Sequence, residues 1–137
     1  MPLQDPAIGA EGSASLVVGT GDLASTLADE PGEAYPAVLA TTRMIGLMEM
    51  AAGRILKASL EPGELSVGVV VEVRHTAATK PGATCTAHAK YLGRGGRLYR
   101  FEVWAEDPGG EIGRGTHERA IVTTARLLEG AARRHRP

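Results

Sequence analysis

The chain has 137 residues, 43% of them apolar and only 4% aromatic, and its 15 Lys and Arg against 16 Asp and Glu give a formal net charge of −1. That describes one ordinary domain whose core rests on Val, Leu, Ile, Ala and Met, with no basic field to gather nucleic acid. The single cysteine, Cys85, excludes an intrachain disulfide and a multi-cysteine zinc site.

Residues 1–11 are rich in Pro, Gly and small side chains and are expected to be peripheral. The start, Met1-Pro2-Leu3-Gln4-Asp5-Pro6, lacks a basic segment followed by an apolar one, so no signal peptide is expected. No apolar run approaches the ~20 residues that span a bilayer. With a lone cysteine, this predicts a soluble, cytoplasmic protein without a membrane partner.

Ser13 to Thr20 predicts a first strand. Residues 21–36, with Gly21, Asp22, Asp29, Pro31, Gly32 and Pro36, predict a loop with a short helical turn at 22–28. Leu39, Met44, Leu47, Met48, Ala51, Ala52, Ile55 and Leu56 then recur at three and four, which predicts a long helix. Thr41 or Thr42 is placed to cap its start, and Glu61-Pro62-Gly63-Glu64 ends the region.

The second half is strand-rich. Val67, Val69, Val71 and Val73 alternate up to Arg74-His75, and Val70 breaks the alternation, which suits packing against a second subunit. Lys80-Pro81-Gly82 turns, and Cys85, Ala87, Ala89 and Tyr91 alternate with polar residues. Leu98 to Glu106 and the Asp107-Pro108-Gly109-Gly110 hairpin signal follow. Ile112 to Thr124 is a last strand in which Gly113 and Gly115 allow a bend or a close approach. Arg126 to Arg133 predicts a short terminal helix, and the cluster Arg126, Arg133, Arg134, Arg136 reads as a solvated tail. One strand, one long helix and a four-strand meander make an α+β domain, an antiparallel sheet wrapped around a central helix, which is the hotdog arrangement.

The chemistry begins with Glu49, a carboxylate inside the run Met44-Ile45-Gly46-Leu47-Met48-Glu49-Met50-Ala51-Ala52-Gly53. On a helix it lies about 120° from the face shared by Arg43 and Arg54, so it is expected to point inward or into a cleft. A buried carboxylate needs a partner, and His75 is the best candidate. Thr41 and Thr42 add hydroxyls just before the helix. One hydroxyl, one carboxylate and one imidazole are the parts of a hydrolase. No ligand cluster supports a metal. Cys85 reads as a small core residue, His88 as an exposed strand residue, and His117 as structural.

These segments resemble a known family. Ala40-Thr41-Thr42-Arg43-Met44-Ile45-Gly46-Leu47-Met48-Glu49 is similar to the helix motif of the fluoroacetyl-CoA thioesterase group of hotdog proteins. Leu60-Glu61-Pro62-Gly63-Glu64, Val73-Arg74-His75-Thr76-Ala77-Ala78-Thr79 and Glu111-Ile112-Gly113-Arg114-Gly115-Thr116-His117-Glu118-Arg119-Ala120 resemble its later motifs in order. The resemblance covers roughly residues 33–125 of a single domain, 1–137, with 126–137 peripheral.

The resemblance implies Thr41, Glu49 and His75 as catalytic residues, with Gly68 and Arg119 near the substrate and Tyr35 as an aromatic gate. It implies an acyl-CoA substrate, no separate cofactor, and a homodimer with sites at the subunit interface. Tyr35 stands where the fluoroacetyl enzyme has phenylalanine, and Thr42-Arg43 where it has a glycine–aromatic pair. These departures bear on the acyl group and leave the hydrolytic parts untouched. The reading is a thioesterase for a short or compact acyl group. The alternatives are a non-catalytic acyl-CoA or small-ligand binding protein, or a hydratase or dehydratase, on the same fold.

Overall fold

Between Leu39 and Leu56 the three-and-four spacing is realised as helix α1, Thr41–Leu56, which buries Met44, Leu47, Met48, Ala51, Ala52 and Leu56 along one stripe. The computed structural model describes residues 4–135. Residues 1–3 at the peripheral N-terminus and 136–137, including Arg136 of the basic cluster, lie outside the described residues.

Around α1 curls an antiparallel sheet of β1 (Glu11–Val17), β2 (Glu64–His75), β3 (Thr84–Gly95), β4 (Leu98–Asp107) and β5 (Gly110–Thr123). Its order is β1-β3-β4-β5-β2. Helix α2, Thr124–Arg134, follows β5 directly and buries none of its residues. The turn expected at 22–28 is present as two short 3-10 turns, Thr20–Asp22 and Ala24–Leu27. With its one central helix inside a curled sheet, the α+β architecture is the hotdog fold.

The inner face explains why the sheet can wrap so closely. Ala14, Cys85, Ala87, Ala89 and Ala105 are buried at 3% exposure or less, so the strands nearest the helix carry small side chains. Larger residues, Tyr91, Tyr99 and Phe101, fill the core where small ones would leave voids. At Gly12 of β1 an added Cβ would lie 2.5 Å from the carbonyl oxygen of Ala51, so a side chain there would push helix and strand apart.

Two expectations are corrected. The four strands after α1 are not a simple meander: β3, β4 and β5 follow one another, but β2 pairs with β5 and occupies the far edge. A tight hairpin to β3 is not what the connecting segment, 76–83, forms. It is drawn across instead, with Leu39 N–H donating to Thr79 O at 2.9 Å and Gly82 N–H to Val18 O at 2.8 Å.

The second correction concerns the helix start. The residue before α1 is Ala40, and no side chain caps it. The Thr41 hydroxyl is engaged elsewhere. The break in alternation at Val70 is a register shift between Gly68 and Val70, a β-bulge opposite Arg119 and Glu118.

Candidate active site

Hydrogen bonds to Asp22, one from backbone and one from a side chain, converge on the N-terminal end of α1. Ala40 N–H donates to Asp22 O at 2.8 Å, and Arg43 Nε donates to Asp22 Oδ1 at 2.9 Å. These fix Thr41 against the end of β2. There Thr41 Oγ1 lies 2.8 Å from Nδ1 of His75. The turn after His75 is held in place by Thr76 N–H donating to Ile112 O at 2.8 Å.

The His75 imidazole is half-buried. Its Nε2 is covered from solvent yet has no hydrogen-bond partner among the described residues. Burial lowers its pKa below the ordinary histidine range, opposed by the backbone of Ala77. A neutral imidazole touching a hydroxyl is the arrangement of a base and a nucleophile, or of a base and a water-positioning group. The pair opens on a hollow of about 410 Å³ lined by Ala24, Pro36, Val38, Leu39, Ala77 and Ala78 among others. Thr41 itself is exposed at its mouth. Because Ala40 provides no side-chain acceptor, the first N–H groups of α1 remain as donors beside this hollow.

Glu49 does not meet His75 within one chain. Its side chain is 40% exposed rather than buried, and Arg119 Nη1 lies 3.5 Å from its Oε2. Gly68 makes room for it: a Cβ there would fall against Glu49 Oε2, well inside contact distance. Gly68 and His75 are seven residues apart on β2, roughly 20 Å at a strand's rise. The expected carboxylate–imidazole contact is therefore absent within one chain: Glu49 rests against Gly68 and Arg119, far along β2 from His75.

Arg119 is buried at 9% exposure. It donates from Nε to Ser66 Oγ at 3.0 Å, from Nη2 to Ser66 O at 2.9 Å, and from Nη1 to His117 Nε2 at 3.1 Å. His117 and Ser66 are the site neighbours that sequence reasoning missed. The signal for His117 was the alternation that puts it and Arg119 on the same face of β5; Ser66, on β2, carried none.

Tyr35 is 48% exposed and stands close to the Glu33 carboxylate. Their interaction lowers the Glu33 pKa and raises that of the phenol. Tyr35 is adjacent in sequence to Pro36, which lines the hollow. Among the described residues no group of three or more His, Cys, Asp or Glu comes together, and no helix is long and apolar enough to cross a membrane.

So the structure joins Thr41 to His75, and separately joins Glu49, Gly68 and Arg119. Residues 22–125 match the family described as fluoroacetyl-CoA-specific thioesterase. A fluoroacetyl-CoA thioesterase of Streptantibioticus cattleyicolor is 49% identical over 88 residues, 64% of this chain. The matched stretch spans 63% of that relative's length. The solved structure of the fluoroacetyl-CoA thioesterase FlK superimposes with a TM-score of 0.85 at 38% identity, covering 96% of this chain and 98% of that one. A thioesterase superfamily member from Thermus thermophilus gives 0.81 at 30% identity, over 93% and 91% of the two chains. With its fold and these likenesses in agreement, the chain belongs to the fluoroacetyl-CoA-specific thioesterase family.

Proposed function

We propose that the protein hydrolyses the thioester of an acyl-CoA carrying a short or compact acyl group. The observation that carries this is the 2.8 Å contact between Thr41 Oγ1 and His75 Nδ1, at the mouth of a hollow lined largely by small apolar side chains. The curated relative and the matched solved structure, both fluoroacetyl-CoA thioesterases, support the same reading.

In the reaction, water adds across the thioester to give a carboxylic acid and the free thiol. The leaving thiol has a pKa near 8.5, so it departs with little help. The enzyme's task is the attack and the oxyanion. His75 takes a proton from the attacking oxygen, which belongs either to Thr41 or to a water that Thr41 holds. Leading N–H groups of α1 stabilise the oxyanion. Glu49 orients the imidazole or couples to its proton.

Since Glu49 is remote from His75 in one chain, we infer a homodimer that brings them together. Strand β2 is a sheet edge with Val69 53% and Val71 41% exposed, an apolar strand edge that invites a partner. Antiparallel pairing of two β2 strands about a two-fold axis near Val71 and Glu72 sets Gly68 of one chain opposite the partner subunit's His75. Glu49, which rests on Gly68, then approaches the partner's Thr41–His75 pair. The same reading takes the protein to be cytoplasmic, with no separate cofactor.

Initial rates of thiol release from acyl-CoAs of increasing length test the activity. Hydrolysis falling off with chain length supports the reading. Binding without hydrolysis defeats it in favour of a ligand-binding protein, and hydration of an enoyl-CoA defeats it in favour of a hydratase. A 1:1 mixture of the inactive variants Thr41→Ala/His75→Ala and Glu49→Gln tests the shared site. Random exchange leaves one intact site in each mixed dimer, so about a quarter of the native activity returns. No recovery after demonstrated exchange of subunits overturns the shared site.

A further inference from the structure

His117 is 1% exposed, and both its ring nitrogens are engaged. Nδ1 lies 2.7 Å from the carbonyl oxygen of Val70, and Nε2 lies 3.1 Å from Nη1 of Arg119. A carbonyl can only accept and a guanidinium can only donate. The ring therefore carries its hydrogen on Nδ1 and presents a lone pair at Nε2. A second ring proton would set N–H against N–H at the most buried point of the cluster.

The charged groups that bear on the ring are Arg119, Glu49 and Glu118. Burial, the largest influence, keeps the ring neutral, and Arg119 adds to that effect. The nitrogen that His117 holds is the one that faces Glu49. Nη1 is shared between His117 Nε2 at 3.1 Å and Glu49 Oε2 at 3.5 Å. Ser66 fixes the other two nitrogens of the guanidinium, at Nε and Nη2. The arrangement thus stops short of the bidentate fork that arginine and carboxylate form when nothing competes. The Val70 carbonyl comes from the bulge, and Gly68 on the other side of that bulge forms the floor beneath Glu49. A Cβ on Gly68 would also lie 3.1 Å from His117 Cε1, so ring, strand and carboxylate are packed as one unit.

We propose that His117 is a positioning residue for Glu49, acting through Arg119: its Nε2 lone pair restrains the guanidinium from closing fully on the carboxylate. Glu49 then remains available to a second partner instead of being locked into an internal ion pair. This deepens the thioesterase reading and rests on Glu49 serving the reaction.

Two variants separate the two ring contacts. In His117→Asn the short amide can reach Val70 O but supplies no acceptor to Arg119. In His117→Gln the longer amide oxygen supplies that acceptor. With both variants folded by thermal melt, His117→Asn is expected to lose turnover by about tenfold or more with KM little changed, and His117→Gln to recover most of it. A role in packing alone would lower the melting temperature without this split.

Two measurements do not depend on activity. Long-range ¹H–¹⁵N spectra of the native protein at pH 7 are expected to show His117 protonated at Nδ1 only. A crystal structure of His117→Asn is expected to show the Nη1–Oε2 separation shortened from 3.5 Å. An Nε2–H tautomer, an unchanged Arg119–Glu49 geometry, or native turnover in a folded His117→Asn overturns the proposal. If the native protein hydrolyses no acyl-CoA, the thioesterase reading fails, and the tautomer and the Arg119 geometry decide the positional part independently.

Discussion

Thr41 Oγ1 stands 2.8 Å from His75 Nδ1, and the helix that begins at Thr41 goes without a side-chain cap. Thr41 is the first helical residue; a threonine at the cap position, held here by Ala40, would ordinarily stabilise the helix end by about 1 kcal/mol by accepting a backbone N–H at its oxygen. Here the hydroxyl is turned to the imidazole instead, and the helix start keeps its free donors. The local concession in stability coincides with the place where the chemistry is proposed.

Replacing either member of this pair should damage turnover far more than the fold. His75→Ala is expected to lower turnover by roughly 10²–10⁴-fold, the usual range for a general base. Thr41→Ala is expected to follow it, with Thr41→Ser retaining much of the rate because the hydroxyl remains. Thiol-release kinetics beside thermal melts check this. Near-native rates in the alanine variants would remove the pair from the mechanism.

The acidity of His75 gives the pH profile its sign. Burial lowers its folded pKa, so the neutral base persists below the ordinary histidine value of ~6.5. The acid limb of kcat/KM should therefore lie below that value, with rate rising as pH rises through it. Stability moves in the same direction. His75 and His117 both have lowered folded pKa values, so the unfolded chain binds more protons between the folded and unfolded values. Stability is full above ~6.5 and declines as pH falls from there toward the folded pKa values. Melting temperature against pH, compared between the native protein and the histidine variants, checks the sign.

Two glycines should respond differently to alanine. Gly68 has ordinary backbone angles, and its Cβ would meet the Glu49 carboxylate, a side chain 40% exposed and able to move. Gly68→Ala is expected to lower the melting temperature modestly, since its Cβ would also press at 3.1 Å on Cε1 of the buried His117, and to lower turnover by about tenfold or more through displacement of Glu49. At Gly115 the Cβ would fall on the backbone carbonyl of Glu72, between paired strands β5 and β2. Gly115→Ala is expected to destabilise the protein by about 1–3 kcal/mol, since backbone yields less readily than a side chain. Chemical denaturation of both variants distinguishes the two effects.

Charging the β2 edge should separate the proposed dimer. Val69→Lys and Val71→Glu put like charges against Arg74 of the partner subunit and Glu72 of the partner subunit in that two-fold register. Sedimentation equilibrium is expected to show a shift toward monomer, and activity is expected to fall with the dimer fraction. A monomeric variant with native turnover would place a complete site within one chain.

The helix stripe from Leu39 to Leu56, the alternating strands and the break at Val70 were legible because each is a local pattern. A period of 3.6 or 2 and an out-of-phase valine are properties of adjacent residues. The position of β2 beside β5 was not legible, since the 76–83 connection carries no mark of where Leu39 and Val18 will pull it. Residue types and the family resemblance nominated Thr41, Glu49, His75 and Arg119, but which of them touch was decided by the fold. Thr41 reaches His75 across 34 positions of sequence, and Arg119 reaches Glu49 across 70. Side-chain partners at such separations are set by how a curled sheet lays distant strands along one helix. The sequence by itself determined the elements and the reactive groups; the tertiary structure decided that Glu49 faces an arginine steadied by His117 rather than the imidazole of its own chain.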